Sequence, residues 1–210
     1  MSEVGIPKIG IPTIPVLTPQ NRWDIAACAK DLMLVERKRL IAKRCDDNFS
    51  EMFWERTNSG SRSVFAEMPI PKKDIGIFYF ELKIGTKDDK MSILYFGLAT
   101  KQMPLNSIVG TEKGTYAYGN HGQFCCHDEE IETPSYKPFD VGDVVGCGVN
   151  LATRRIIYTK NGERLDTADL FVDSAGDLSD LFPCVTLFSP GNKIEANFGP
   201  IFTFDIADGI

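Results

Sequence analysis

Histidine and tryptophan are scarce in this chain, with two of each among 210 residues. Neither His121 nor His127 lies in an HExxH pattern or another metal or nucleophile motif. There is no Gly-x-Ser-x-Gly elbow, and no glycine set has the spacing and Lys-Ser/Thr ending of a phosphate loop. No run of about 18 apolar residues is present, so no membrane-spanning helix is expected. Heptads, internal repeats and low-complexity tracts are also missing, which makes a monomer the default expectation. The N-terminus lacks the basic and continuous apolar regions of a secretory signal.

Charge excludes a further class. The formal net charge is −6, whereas nucleic acid selects clustered Lys and Arg that neutralise phosphates. The densest basic run, Arg37-Lys38-Arg39 with Lys43-Arg44, reads as the solvated tip of a β-hairpin, and no nucleic-acid partner is expected.

The six cysteines, Cys28, Cys45, Cys125, Cys126, Cys147 and Cys184, are scattered without a regular spacing. Reduced thiols are the simpler reading for a chain long enough to build its own core. His121, Cys125, Cys126 and His127 crowd four zinc-type ligands into seven residues. On a strand, however, the two adjacent cysteines point to opposite faces, so no metal is expected there. Asp128, Glu129, Glu130 and Glu132 lack the alternation of a calcium loop and read as a solvated acidic loop. No cofactor is expected. Asn48-Phe49-Ser50 is a glycosylation sequon and is read as unused.

What the chain has in quantity is short apolar runs broken by turns, with 18 Gly and 12 Pro. Residues 1–20 form a proline-rich extension, with Pro7, Pro12, Pro15 and Pro19 enforcing an extended path. Its Ile and Val residues favour packing along the domain over a free docking peptide. Asn21 is placed to cap one or two helical turns over Arg22 to Ala29. Leu32 to Glu36 and Leu40 to Arg44 read as strands around a charged turn, and 45–61 as a loop containing Phe49, Phe53 and Trp54.

From residue 62 onward strand signals dominate. Over Ile75 to Gly85, Phe78, Phe80, Leu82 and Ile84 share one face, and Tyr79, Glu81 and Lys83 the other, which reads as outward. Ile93 to Ala99 suits a central strand, and Val144 to Val149 and Arg155 to Thr159 are two more. Asn161-Gly162 is a hairpin turn signal. Pro183 to Phe188 and Lys193 to Phe198 read as a final pair around Ser189-Pro190-Gly191-Asn192, with Phe202 to Ile206 closing the sheet. The pattern predicts an all-β, two-sheet antiparallel sandwich with short N-terminal helical turns.

Gly142-Asp143-Val144-Val145-Gly146-Cys147-Gly148-Val149-Asn150-Leu151, running into Ile156-Ile157-Tyr158-Thr159-Lys160-Asn161-Gly162-Glu163-Arg164-Leu165, resembles the signature of SPRY domains. Tyr79-Phe80-Glu81-Leu82, Phe96-Gly97-Leu98-Ala99, the segment from Tyr118 to Cys125, Leu181-Phe182-Pro183-Cys184-Val185 and Ala196-Asn197-Phe198-Gly199 match in the same order. The resemblance covers residues 21–206, leaving 207–210 as a short tail, and implies a concanavalin-like jelly roll. Val149-Asn150-Leu151 and Phe124-Cys125 are most similar to the Ran-binding protein M branch. Asn21-Arg22-Trp23-Asp24, the run from Leu98 to Leu105 and Gly114 to Tyr118 resemble the SPRYSEC effectors of potato cyst nematodes. The chain departs from that group at Ile108, where a Trp is usual, and at His121-Gly122, where Asp-Gly is usual.

This resemblance implies a non-enzymatic protein-binding module, with function in the loops of a rigid sandwich. The loops implied are 49–61, 101–111, 118–123 and 189–193. Within them Trp54, Lys101, Gln102, Met103, Tyr118, Asn120, His121, Gln123 and Phe188 are the candidate partner-binding residues. The resemblance further implies secretion from the nematode, a signal peptide lying outside this chain, and action in the host cytoplasm or nucleus. The implied partners are host plant proteins, such as nucleotide-binding leucine-rich-repeat immune receptors or their regulators. The alternatives are a carbohydrate-binding, lectin-like sandwich and an endogenous intracellular scaffold.

Overall fold

The structure is a computed structural model that describes residues 15–35, 37–45, 60–86, 93–127, 129–131, 137–173 and 176–209. Trp54 and the sequon lie outside the described residues, as does most of the 45–61 loop.

Fourteen described strands, numbered in chain order, form two seven-stranded sheets. The first sheet runs β1 (Trp23–Cys28), β4 (Arg62–Ala66), β13 (Leu181–Leu187), β6 (Leu94–Thr100), β7 (Thr115–Gly119), β8 (Phe124–Cys126) and β9 (Glu129–Ile131). The second runs β12 (Glu163–Arg164), β11 (Ile156–Lys160), β10 (Val144–Asn150), β5 (Ile77–Thr86), β14 (Asn192–Asn197), β3 (Ile41–Arg44) and β2 (Leu32–Val35). Every named strand pair is antiparallel, as the sandwich reading expects.

Period-two alternation supplies the main core. Phe78, Phe80, Leu82 and Ile84 face inward from β5 and meet Phe96 and Leu98 from β6, Tyr118, Val185 and Tyr158 between the sheets. Phe80 contacts Phe96 edge-on at 6.5 Å and stacks on Phe198 at 5.8 Å. Each fully buried side chain of this size contributes about 1.5–3 kcal/mol relative to exposure. The Asn161-Gly162 turn has positive φ at both positions, 51° and 83°, and returns the chain from β11 into β12.

Four local expectations are corrected. The segment from Arg22 to Ala29 is not helical: Trp23–Cys28 is β1, paired with β4 through a bulge. The indole of Trp23 is buried, its N–H donates to the Leu40 carbonyl at 2.9 Å, and Asn21 engages Met68, just past the end of β4, instead of capping a helix. Tertiary pairing has overridden local propensity here.

Tyr79 and Glu81 do not face outward into solvent but are buried on the second face of β5. A C-terminal strap covers them: Phe204 and Ile206 close a second cluster over Ile77, Tyr79 and Ile157, with Phe202 packed against it. Phe202 to Ile206 therefore acts as a cover and not as a closing strand, and a 3-10 turn at Ile206–Gly209 follows it. Lastly, β13 and β14 are not partners. The turn between them crosses the sandwich, so β13 pairs with β4 and β6 while β14 pairs with β3 and β5.

The described end of the proline-rich extension packs on this same body. Val16 bridges Ile77, and Thr18 Oγ1 donates to the Tyr79 carbonyl while accepting the Tyr79 N–H.

Candidate functional site

Strand register fixes which loops share a pole of the sandwich. Arg62 pairs with Leu187, Leu187 with Leu94, and Tyr95 with Gly119, so the start of β4, the end of β13, the start of β6 and the end of β7 form one row. Residues 118–123, 188–191 and 60–61 gather at this pole. The second sheet contributes Asp143, Lys160 and Asn161: Phe139 N–H donates to the Asn120 carbonyl, Lys160 Nζ donates to the neighbouring Pro138 carbonyl at 2.7 Å, and Asp143 holds Asn161 Nδ2 and pairs with Lys160 at 3.1 Å.

The 119–123 turn is tightly held. Gly119 N–H donates to the Gln123 carbonyl at 2.8 Å, Gly122 N–H donates to the Gly119 carbonyl at 2.9 Å, and Gly122 has φ +98°. Asn120 is buried and exchanges two bonds with Leu94: its N–H donates to the Leu94 carbonyl, and its Oδ1 accepts the Leu94 N–H, both at 2.9 Å. Its own carbonyl accepts the Phe139 N–H at 3.0 Å. These bonds leave His121 exposed at the tip.

Next to the tip, Gln123 Nε2 donates to the Tyr95 hydroxyl at 2.9 Å, and the Tyr95 ring lies 6.2 Å from that of Phe188. Tyr95, Gln123 and Phe188 are each half-buried, and Ile93 beside them is exposed. Together they make a shelf with apolar bodies and polar tips, the composition that suits a protein contact. Tyr95 and Ile93 were not among the sequence candidates. Their signal was faint, because both sit in what reads as a wholly apolar central strand.

Other candidates prove to be packing residues. Tyr118 is fully buried against Phe124, Phe139, Phe96 and Tyr158, and its hydroxyl donates to the Lys137 carbonyl. Burial holds its phenol above the ordinary range, with the Asp143 charge adding to the effect. Met103 is buried with Phe65, Ala99, Val109, Ala117 and Cys184 on the outer face of the first sheet. Met103, Leu105 and Val109 thus fasten the 101–111 segment along this face: the Leu105 carbonyl accepts the Ser63 N–H at 2.8 Å, and Val109 N–H donates to Thr186 Oγ1 at 3.0 Å.

Lys101 and Gln102 are exposed but belong to the opposite end of β6, about 20 Å away at the usual strand rise. Lys101 pairs with Asp24 at 2.7 Å and sits 4.6 Å above the Phe182 ring. The structure brings together Asn120, His121, Gln123 and Phe188, and separates them from Lys101, Gln102 and Met103.

The His-Cys run does not converge. His127 Nδ1 accepts the Gly114 N–H at 2.8 Å, and its ring meets Tyr116 edge-on. Burial, helped by the Glu129 charge, pushes the Cys126 thiol up to about 11. Among the described residues no three His, Cys, Asp or Glu side chains are placed to share a metal ion.

Comparison with known proteins extends the picture. The family model of the SPRY domain matches residues 77–201. Ran-binding protein 9 of Xenopus laevis is 41% identical over 159 residues, which is 74% of this chain and 27% of that protein. The Ran-binding proteins 9/10 homolog of Drosophila melanogaster is 36% identical over 71% of this chain and 15% of its own length. The chain thus spans about a quarter or less of the curated relatives it matches. Among solved structures, the SPRY domain of human HERC1 superposes with a TM-score of 0.58 at 18% identity, covering 83% of this chain and 96% of that one.

Proposed function

The chain belongs to the SPRY family, and on that premise we propose that it is a non-catalytic protein-interaction module whose partner surface is the pole formed by Ile93, Tyr95, His121, Gln123 and Phe188. The observation that carries this reading is the exposed tip and aromatic shelf, held by the Asn120–Leu94 bonds on a rigid sandwich. The resemblance of the Asn21–Asp24 and Leu98–Leu105 segments to nematode SPRYSEC effectors supports a finer reading. In it the protein is secreted by a plant-parasitic nematode and engages host plant proteins in the host cytoplasm or nucleus, among them nucleotide-binding leucine-rich-repeat immune receptors or their regulators.

A second reading is an endogenous intracellular scaffold, favoured by the identity to Ran-binding protein 9 across three quarters of the chain. The two differ in which proteome holds the partner. Immobilised chain is incubated with plant leaf extract and, separately, with nematode extract. A variant carrying Ile93→Glu and His121→Glu serves as the control. Capture of a plant protein by the intact chain alone supports the effector reading, and capture only from nematode extract supports the scaffold. Equal capture by the intact chain and the variant removes the proposed surface.

A further inference from the structure

The opposite pole holds a cleft of about 690 Å³, within the roughly 300–1,000 Å³ usual for binding sites. One wall is the start of β1 and the end of β4. There Asn21 Oδ1 accepts the N–H groups of Arg22 and Met68, both at 2.9 Å, and Asn21 Nδ2 donates to the Met68 carbonyl at 2.8 Å. The other wall is the β2–β3 turn with the end of β14, joined where Ala196 N–H donates to the Leu40 carbonyl at 2.8 Å. Trp23 ties the two walls, its N–H donating to the Arg39 carbonyl and its indole N–H to that of Leu40, both at 2.9 Å. The cleft is therefore preformed. Leu40, Ala196 and Phe198 give it an apolar floor, and Met68 stands half-exposed at its lip.

Its charges do not cancel. Glu67 is held between Arg22 at 2.7 Å and Arg39 at 2.5 Å, and Glu195 stands exposed on the lining, paired in backbone register with Lys83. The two carboxylates meet four cations, Arg22 and Lys38 on the lining with Arg39 and Arg37 beside it, and of these Lys38 and Arg37 are exposed and without an ion pair among the described residues. Arg39 adopts φ 52°, a conformation unusual for a residue with a Cβ, and its neighbour Lys38 reaches the lining. This surplus of positive charge stands out in a chain of net charge −6.

We propose that this cleft is a second protein-docking site, one that takes an extended partner segment in which acidic side chains alternate with aliphatic ones. The acids meet Lys38 and Arg37, and the aliphatic groups meet Leu40, Met68 and Phe198. A nucleic acid fits less well, because it needs cations in a row along the phosphates and no apolar floor. With binding surfaces at both poles, the sandwich bridges two partners. The site stands independently of the loop pole and is tested separately.

The test is an amide NMR titration of the full chain with the peptide acetyl-Asp-Leu-Glu-Leu-Asp-Leu-amide and with a counterpart carrying Lys at each acidic position. The acidic peptide is expected to shift the amides of Asn21, Leu40, Met68 and Ala196 and to spare 119–123. Lys38→Glu with Arg37→Glu weakens it about tenfold and confers binding of the Lys peptide, while the melting temperature holds. Overturning results are no shift at millimolar peptide, equal shifts from both peptides, or no exchange of preference in the double variant. Tighter binding of single-stranded DNA or phosphatidylserine vesicles at the same amides also overturns it, by making this a general polyanion site.

Discussion

Glu81, in the middle of β5, accepts the backbone N–H of Thr203 through both carboxylate oxygens, at 2.9 and 3.0 Å. The same carboxylate accepts the Phe204 N–H at 2.9 Å, the Tyr79 hydroxyl at 3.2 Å and Asn197 Nδ2 at 3.3 Å. A buried carboxylate thus fastens the C-terminal strap over the second face of the sheet. Leaving a buried donor without its acceptor costs about 1–3 kcal/mol. Glu81→Ala strands several donors at once and is expected to lower Tm by about 5–10 °C at 2–4 °C per kcal/mol. Glu81→Gln, which keeps one acceptor oxygen, costs less. An unchanged Tm for Glu81→Ala in a calorimetric melt contradicts the latch.

Tyr118 separates packing from binding. Tyr118→Ala is expected to cost about 3–5 kcal/mol, as large aromatic truncations in cores do. Tyr118→Phe costs about 1 kcal/mol by releasing the Lys137 carbonyl. His121→Ala, at an exposed tip, leaves the denaturant midpoint within experimental scatter. A tolerated Tyr118→Ala removes the ring from the core account.

The pole also predicts a pH effect. Burial by itself raises the Asp143 carboxyl, but the hydrogen bonds from Asn161, the Asp140 N–H and Lys160, with the Lys160 charge, hold it below its ordinary 3.8. A carboxyl depressed by folding stabilises the fold above 3.8, and that stability is lost as pH falls below 3.8 through the folded value. The Tm gap between the wild type and Asp143→Asn is therefore expected to be constant near neutrality and to close below about pH 4. A gap that persists or widens in acid contradicts the assignment.

How much of this was legible in the sequence follows from what each residue's signal depends on. Inward residues of β5 showed themselves by period two, and Asn161-Gly162 by its turn chemistry, because both signals are local. Burial of Tyr79 and Glu81 depends on a strap more than 120 residues away in the chain, so alternation alone placed them outside. The β1 segment carries a plausible helix cap, and only the pocket for Trp23 and the free edge of β4 make it a strand. At the candidate site, the turn was legible from Asn120, His121 and Gly122. Which of its side chains remain exposed depends on the Asn120–Leu94 exchange, and no local pattern encodes that.

Thiol reactivity tests the core on both sheets. Cys147 and Cys184 are fully buried, and burial raises both thiols well above the ordinary range. At pH 8 an aromatic disulfide reagent is expected to label them only as fast as the chain unfolds, with labelling of all six cysteines in denaturant. Fast native-state labelling at either position, located by mass spectrometry, contradicts the packing.

The central claim is that the 119–123 tip and the Tyr95–Phe188 shelf form the partner surface. Its most direct test is isothermal titration calorimetry of a purified captured partner against three chains: wild type, Ile93→Glu with His121→Glu, and Lys38→Glu. The account predicts at least about a thirtyfold loss for the pole variant, the scale of a hot spot near 2 kcal/mol, with unchanged Tm and near-native affinity for Lys38→Glu. Full affinity in a folded pole variant, or a loss confined to Lys38→Glu, contradicts it and moves the partner to the opposite cleft.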